Sequence, residues 1–237
     1  MNNEEIPLTS TFPIDFPDDY IETIYKVYKY TLTSQERLFA LINAVEYVVN
    51  NDIAGDIVEC GVWKGGSMMA VMDTLNRLGK ERDLWLYDTF TGMTYPEEFD
   101  VDYRGQSARN LMAVSDRNED RSVWCFSSLD DVKKNLQIIP YPENKIKLIK
   151  GKVEETIPEN MPDKISLLRL DTDFYSSTKH ELEHLFPKLS NHGILIIDDY
   201  GHWQGAKKAV DEYVAENKIK IYLNRIDYTA RIGIKTT

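Results

Sequence analysis

The sequence predicts an α/β fold in which helices cover both faces of a doubly wound, mostly parallel sheet of seven strands. Apolar runs alternate with helical segments after Gly55, the order expected when each helix connects two parallel strands. Most of the first five runs are rich in apolar residues, as in strands that are buried on both faces. The last two runs are separated only by Asn224–Asp227, which is too short for a parallel crossover, so they are predicted to form an antiparallel hairpin.

The strands are predicted at the apolar runs Ile57–Cys60, Leu84–Tyr87, Ile146–Ile149, Ile165–Leu170, Ile194–Ile197, Ile219–Leu223 and Tyr228–Ile234. Helical periodicity predicts helices between them at Gly66–Leu78, Leu129–Gln137, Thr178–Phe186 and Gln204–Glu216. Residues 91–127 show weak periodicity and many polar residues, which predicts a lid at the sheet edge where α/β folds bind ligands. Residues 56–237 are therefore expected to form the main domain, with 91–127 as an insertion.

Residues 1–55 are expected to form an arm and two helices that cover the ligand site or contact a second subunit of a homo-oligomer. The arm, up to Pro17, is polar and contains three prolines. The second helix is predicted to begin with a capping box and to end near Asn51. In this box Thr33 caps the helix and Glu36 bonds back to the Thr33 backbone.

Acidic residues outnumber basic residues by 39 to 28, which gives a net charge of −11. This balance disfavours binding to nucleic acid or to an anionic membrane, and it favours a divalent cation. No apolar run approaches the ~20 residues of a membrane-spanning helix, and the N-terminus lacks the features of a secretory leader. Two cysteines make neither a disulfide framework nor a zinc site. We therefore expect a cytoplasmic protein.

The segment from Glu59 to Ser67 follows the first strand and opens a helix. Its glycines, Gly61, Gly65 and Gly66, let a ligand approach the backbone, and the helix N-terminus offers free N–H donors. The G-x-x-x-G-G spacing differs from the dinucleotide fingerprint G-x-G-x-x-G. An acid just before the first glycine suits a ligand with a positive or hydroxyl-bearing part. The alternative is a tight strand–helix turn without a ligand.

Asp88 ends the second strand in the segment Tyr87–Phe90. A carboxylate at this position can accept hydrogen bonds from both ribose hydroxyls, which indicates a cofactor that contains a nucleoside. The alternative is that Asp88 caps a loop, a common use of aspartate.

Four carboxylates follow two apolar strands: Asp171 and Asp173 after one, Asp198 and Asp199 after the other. Because neighbouring parallel strands end at one edge of the sheet, these side chains are expected to converge beside the cofactor crevice. Like charges repel at such distances, and a hard cation such as Mg²⁺ resolves the repulsion. The alternative is that the acids cap the helices that follow.

The segment His180–His184 matches H-E-x-x-H, the helix of zinc proteases. Helical spacing directs both histidines away from the buried stripe through Leu182. Pro187 and Ser190 stand where the extended motif requires a glycine and a third histidine. A zinc hydrolase is therefore kept only as an alternative.

The segments Glu59–Ser67, Asp171–Tyr175 and Asp198–Gly201 resemble, in this order, those of the macrocin and mycinamicin sugar O-methyltransferases. The similarity covers about residues 30–225 and includes Gly151–Pro158. The resemblance implies a class I methyltransferase fold with a Rossmann-like sheet and a last hairpin. It also implies transfer of a methyl group from S-adenosylmethionine to a hydroxyl of a sugar or glycosylated natural product, with Mg²⁺. The catechol O-methyltransferases are similar by more distant analogy.

The resemblance further implies that Asp171, Asp198 and Asp199 ligate Mg²⁺. It places the methionine part of the cofactor in the loop after the first strand, the ribose at Asp88 and the adenine beside Gly151. The cofactor-binding residues that follow from the motifs and the resemblance are Glu59, Cys60, Gly61, Lys64, Gly65, Gly66, Ser67, Asp88, Thr89, Phe90, Gly151, Val153 and Glu154.

The general base is left open by two departures from the resemblance. The macrolide-sugar enzymes use a lid histidine, whereas residues 91–127 contain none, and the catechol enzyme uses a lysine where Phe174 stands here. His202 and Asp173 are the two candidates for the base, and Asp171 is the remaining catalytic residue. A non-catalytic protein that binds S-adenosylmethionine or a nucleoside is the alternative function. The substrate is expected to be a small hydroxylated molecule.

Overall fold

The computed structural model describes residues 12–236, and a seven-stranded sheet lies at its centre. The strands are β1 (Asp56–Cys60), β2 (Leu84–Asp88), β3 (Ile146–Lys150), β4 (Ile165–Leu170), β5 (Leu189–Ile197), β6 (Asn224–Arg225) and β7 (Arg231–Ile234). Their order is β3-β2-β1-β4-β5-β7-β6. The first five strands run parallel, and β7 runs antiparallel to β5 and β6. The predicted doubly wound sheet with a final antiparallel pair is therefore confirmed.

Helices pack on both faces of the sheet and enclose two apolar cores. They are α1 (Asp18–Val27), α2 (Gln35–Asn50), α3 (Gly66–Arg77), α4 (Ala108–Val114), α5 (Leu129–Leu136), α6 (Val153–Thr156), α7 (Tyr175–Leu185) and α8 (Gln204–Glu216). The first core contains the buried faces of α1, α2, α3 and α5, and the second contains those of α7 and α8. The N-terminal helices thus share the core of the main sheet. None of the helices between residues 12 and 236 has the length and hydropathy to cross a membrane.

The final hairpin is shorter than predicted and begins later in the chain. Ile219–Leu223 is not a strand, and Asn224–Arg225, predicted as the turn, forms β6 instead. Ile219, Ile221 and Leu223 are partly buried against the second core. Their alternating pattern therefore reflects packing of an extended segment, without the backbone pairing of a strand.

The capping residue of α2 is Ser34, so the prediction of Thr33 was wrong by one position. The Ser34 hydroxyl accepts a hydrogen bond from the backbone N–H of Arg37 at 3.2 Å. Thr33 instead accepts a hydrogen bond from Nη2 of Arg169 at 3.1 Å. Two adjacent hydroxyls could serve as the cap. The Thr33 hydroxyl is bound to Arg169, and the Ser34 hydroxyl caps the helix. The first eleven residues of the predicted arm lie outside the described residues.

A residue of the central strand β1 tests how much the core contributes to the free energy of unfolding. Ile57 is fully buried, whereas Ile14 is fully exposed. Ile57→Ala is expected to lower the free energy of unfolding by about 2–5 kcal/mol, because it removes buried methyl groups and leaves a cavity. Ile14→Ala is the matched control and is expected to change it by less than about 0.5 kcal/mol. Urea denaturation of both variants measures the difference, and equal effects would contradict this packing.

Candidate active site

A pocket of about 430 Å³ opens at the carboxyl ends of the parallel strands. Loops after all five parallel strands contribute to its wall, and so do the start of α2 and part of the lid segment, residues 91–127. In open α/β sheets ligands bind at this edge. The structure therefore brings the predicted motifs to a single concave site.

The loop after β1 depends on a glycine at position 61. Gly61 has a φ of +86°, and a Cβ placed there would lie 1.9 Å from the carbonyl oxygen of Asp171. The backbone N–H of Asp171 donates to the carbonyl of Cys60 at 2.9 Å. The loop after β1 and the acids after β4 are thus held in direct backbone contact.

Asp88 joins the loops that follow β1 and β2. Its Oδ2 accepts hydrogen bonds from the backbone N–H groups of Val62 at 2.8 Å and Trp63 at 3.0 Å. Its Oδ1 accepts one from the N–H of Phe90 at 2.7 Å. The alternative reading of Asp88, a loop cap, is therefore present in the structure, and the same carboxylate lines the pocket.

The residues predicted to bind the cofactor fall into two groups. Those that line the pocket are Gly61, Ser67, Asp88, Thr89, Gly151, Val153 and Glu154. Those not in its lining are Glu59, Cys60, Lys64, Gly65, Gly66 and Phe90.

Specific contacts account for three of the six residues outside the lining. Glu59 is buried and accepts a hydrogen bond from Nη1 of Arg169 at 2.7 Å, and burial raises the pKa of this carboxyl to about 8. Cys60 belongs to the second apolar core. Lys64 forms an ion pair with Asp120 of the lid segment. These side chains stabilise the loop after β1 through contacts outside the pocket lining.

Asp171, Asp198 and Asp199 form the acid cluster of the site. One carboxylate oxygen from each residue lies within 4.8 Å of the oxygens of the other two. This is the convergence expected from acids at the ends of the neighbouring strands β4 and β5. Oxygen ligands at such spacing suit a hard divalent cation.

Two arginines bind the acid cluster, and sequence reasoning missed both. The Nη1 of Arg169 donates to Asp171 at 2.7 Å and its Nη2 to Asp198 at 2.6 Å, with a side chain only 2% exposed. Arg37, near the start of α2, pairs with Asp198 and also with Asp227 at 2.9 Å. Arg169 had one signal in the sequence: a charge within a buried apolar strand requires buried partners.

The two guanidinium groups offset the negative charge of the three carboxylates unequally. They lower the pKa of Asp198 in spite of its burial. Burial raises the pKa of Asp171 although Arg169 opposes the shift, and burial together with Asp173 and Asp198 raises the pKa of Asp199. Asp199 therefore has less positive charge beside it than Asp198, and the spacing of the three carboxylates is compatible with a divalent cation.

Both candidates for the general base line the pocket. Asp173 has a φ of +66°, and its backbone N–H donates to Oδ2 of Asp199 at 3.1 Å. Burial raises the pKa of its carboxyl to about 7. His202 has its Nδ1 3.1 Å from the hydroxyl of Tyr228, and burial lowers the pKa of its imidazole.

The H-E-x-x-H segment does not assemble a zinc site. The Nε2 of His180 lies 3.0 Å from the carbonyl oxygen of Ile157, and the Nδ1 of His184 lies 2.9 Å from the carbonyl oxygen of His180. Glu181 is buried and accepts a hydrogen bond from the hydroxyl of Thr172 at 3.1 Å. Within residues 12–236 the metal-competent group of acids, cysteines and histidines is the acid cluster.

The lid segment is tied to the rest of the site by backbone contacts. The carboxylate of Asp100 is buried and accepts a hydrogen bond from the N–H of Tyr175 at 2.9 Å. The N–H of Gln204 donates to the carbonyl of Val101 at 2.9 Å. Further along the segment, Met93 and Cys125 line the pocket. The lid segment therefore forms part of the pocket wall.

Comparisons with known proteins agree with this geometry. The chain matches the family model described as Macrocin-O-methyltransferase (TylF) over residues 25–232. It is 33% identical over 199 residues to the demethyldecarbamoylnovobiocin O-methyltransferase of Streptomyces niveus, which covers 84% of this chain and 72% of that protein. It is 28% identical over 204 residues to the mycinamicin III 3''-O-methyltransferase of Micromonospora griseorubida, with 86% and 77% covered. The solved structure of the O-methyltransferase NovP aligns with a TM-score of 0.75 and 31% identity, over 88% of this chain and 83% of that one.

Arg169→Gln tests the dependence of the site on its buried guanidinium. The substitution leaves Glu59, Asp171 and Asp198 without their shared partner, and it is expected to destabilise the fold by about 3–5 kcal/mol. Arg77→Gln is the matched control, because Arg77 is partly exposed and pairs with Asp19 and Glu46 at the surface. Its expected cost is below about 1 kcal/mol. Thermal and urea unfolding compare the two variants, and similar losses would contradict a special role for Arg169.

Proposed function

Because the chain belongs to the macrocin O-methyltransferase family, it is an S-adenosylmethionine-dependent O-methyltransferase, and we propose that it methylates a hydroxyl of a sugar or glycosylated natural product. The acid cluster in the wall of the pocket is the observation that carries this proposal. Relatives named for novobiocin and mycinamicin support the substrate class. Family membership also removes the two earlier alternatives, a non-catalytic binding protein and a zinc hydrolase.

We assign the cofactor to the half of the pocket bounded by the loops after β1, β2 and β3. S-adenosylmethionine supplies a sulfonium methyl group to an oxygen nucleophile. Gly61 and Ser67, which lies at the start of α3, line the wall where the methionine part is proposed to bind. Gly151 and Val153 border the opposite end, where the adenine is proposed to bind.

Asp88 has two roles in this assignment. It holds the Val62 and Trp63 amides through one carboxylate oxygen, which fixes the shape of the loop after β1. It also borders the cofactor half of the pocket, where a ribose hydroxyl would donate to it. The proposed ribose contact therefore depends on a carboxylate whose position is already fixed by the backbone.

Asp171, Asp198 and Asp199 are proposed to hold Mg²⁺. A cation held there would supply Lewis acidity, which lowers the pKa of an acceptor hydroxyl. The spacing of the carboxylates supports this assignment, as does the shortage of positive charge beside Asp199. Arg37 and Arg169 already occupy both oxygens of Asp198. Asp171 and Asp199 are therefore expected to provide the more accessible ligands.

Asp173 is proposed as the residue that takes the proton from the acceptor hydroxyl. Its backbone is bonded to the carboxylate of Asp199, so its side chain lies beside the acid cluster. His202 is the less suitable candidate on geometry. Its ring packs against Trp203 and Tyr228, and its Nδ1 is already within hydrogen-bond distance of the Tyr228 hydroxyl.

The proposed activity is tested by incubating the protein with labelled S-adenosylmethionine and a panel of sugars, phenols and natural-product glycosides. Labelled product is expected with Mg²⁺ and is expected to be lost in excess EDTA. Asp198→Asn is expected to abolish turnover while calorimetry shows nearly unchanged cofactor affinity. Asp211→Asn is the control, since Asp211 pairs with Lys207 at the surface. Full activity in EDTA, or full activity of Asp198→Asn, would contradict the metal assignment.

The assignment of the base is tested by Asp173→Asn and His202→Gln. Loss of a general base typically costs ~10²–10⁴ in kcat. We expect this loss for Asp173→Asn, with cofactor affinity unchanged, and a much smaller effect on kcat for His202→Gln. Steady-state kinetics on the acceptor found in the panel gives both values. The reverse pattern would move the role of base to His202.

A further inference from the structure

Three rings meet at the mouth of the pocket, and they have no role in methyl transfer when Asp173 is the base. They are Tyr103, His202 and Tyr228, called here the aromatic rim. Ring centroids are 5.5 Å apart for Tyr103 and His202, and 5.9 Å apart for each of the other two pairs. His202 and Tyr228 line the pocket, and Tyr103 contacts both of them.

The aromatic rim leaves apolar ring surface in contact with solvent. Tyr103 is 50% exposed and Tyr228 is 55% exposed, although each contacts the other two rings. The three residues come from different parts of the chain: the lid segment, the loop after β5 and the turn between β6 and β7. Their convergence therefore does not follow from the periodicity of one element. Exposed apolar clusters beside a cavity are typical of binding surfaces.

Backbone contacts fix the aromatic rim relative to the acid cluster. The N–H of His202 donates to the carbonyl of Asp199 at 3.0 Å. The hydroxyl of Thr229, next to Tyr228, donates to the carbonyl of Asp198 at 2.7 Å. Gly201 permits this close packing, since a Cβ there would lie 2.2 Å from the carbonyl oxygen of Tyr228. The aromatic rim therefore has a defined position relative to the carboxylates.

Tyr103 is also fixed on the side of the lid segment. The guanidinium carbon of Arg104 lies 5.0 Å from the centre of the Tyr103 ring, and its Nε donates to the Tyr103 hydroxyl at 2.8 Å. The neighbouring Asp102 pairs with Trp203 through a backbone bridge. The three rings already contact one another. Little conformational entropy of their side chains is therefore lost when a ligand ring binds.

We propose that the aromatic rim is the acceptor subsite and that it stacks on the apolar face of an uncharged ring in the acceptor. This inference rests on the proposed function and specifies how the acceptor is recognised. The C–H face of a pyranose and a planar aromatic aglycone share this chemistry. Either one, once stacked, would present a hydroxyl toward the acid cluster.

The test uses two probes that differ only in the aglycone, methyl α-L-rhamnopyranoside and 4-nitrophenyl α-L-rhamnopyranoside. Ligand-observed NMR measures their binding to the protein saturated with S-adenosylhomocysteine, so no turnover is needed. The variants are Tyr103→Ala and Tyr228→Ala, with the two Tyr→Phe variants to keep the ring. Tyr222→Ala is the control, because Tyr222 is 81% exposed and does not line the pocket. Calorimetry with S-adenosylhomocysteine verifies that each variant is folded.

Each alanine variant at the aromatic rim is expected to weaken binding about two- to twelve-fold. The Phe variants and Tyr222→Ala are expected to bind as the wild type does. Equal losses for both probes identify the sugar face as the stacked ring, and a loss confined to the nitrophenyl glycoside identifies the aglycone. Wild-type protein that binds neither probe would overturn the proposal. So would alanine variants that bind normally, or Phe variants as weak as the alanine variants.

The same samples separate this inference from the proposed function. Labelled S-adenosylmethionine replaces S-adenosylhomocysteine, and product is measured for both glycosides. Binding that depends on the aromatic rim, without methyl transfer to any hydroxylated acceptor of the wider panel, would refute the proposed reaction and leave the subsite standing. Methyl transfer with unchanged affinity in the alanine variants would refute the subsite and leave the reaction standing.

Discussion

The hydrogen bonds of the buried Arg169 guanidinium hold the charged side chains of the site together. From β4 it donates to Glu59 on β1 at 2.7 Å and to Asp198 after β5 at 2.6 Å. It also reaches Asp171 at the end of its own strand and Thr33 before α2. Removing a charge from water costs several kcal/mol unless it is paired. Through these hydrogen bonds, the Arg169 side chain connects β1, β4, the loop after β5 and the segment before α2.

The second guanidinium, from Arg37, makes α2 part of the site. Arg37 pairs with Asp198 and with Asp227 in the turn between β6 and β7, and Ser34 donates to the same Asp227 carboxylate at 2.9 Å. The two arginines balance Asp198 more fully than Asp199. This unequal balance is the physical basis for the proposed metal site beside Asp199. The acids thus combine a structural ion-pair network with a proposed metal site.

Four of the five parallel strands could be predicted because each contains a short apolar run that is buried in the sheet. The fifth, β3, lies at the edge of the sheet and is only half-buried. The start of the last hairpin could not be predicted. Ile219–Leu223 alternates apolar and polar residues like a strand, but its apolar side chains only pack against the second core. The capping residue of α2 was ambiguous because Thr33 and Ser34 are adjacent hydroxyls. In both cases tertiary contacts decide between options that local sequence treats as equal.

The convergence of the acids was predictable, since aspartates at the ends of neighbouring parallel strands must meet. Their partners were not, because Arg37 lies 161 residues from Asp198 in the sequence. The cofactor motif was predicted as one continuous segment, whereas Glu59 and Cys60 do not line the pocket: Glu59 pairs with Arg169, and Cys60 packs in the second core. Because consecutive side chains of a strand point to opposite faces, Glu59 and Cys60 meet different parts of the interior.

Asp171, Asp198 and Asp199 are proposed to bind a divalent cation although two arginines already contact them. Anomalous diffraction from crystals soaked in Mn²⁺ tests it most directly, because manganese scatters anomalously and shares the octahedral oxygen preference of Mg²⁺. We predict one strong peak between the three carboxylates, with Arg169 still bonded to Asp198. A fully occupied Mn²⁺ peak elsewhere, with none among these carboxylates, would contradict the metal assignment.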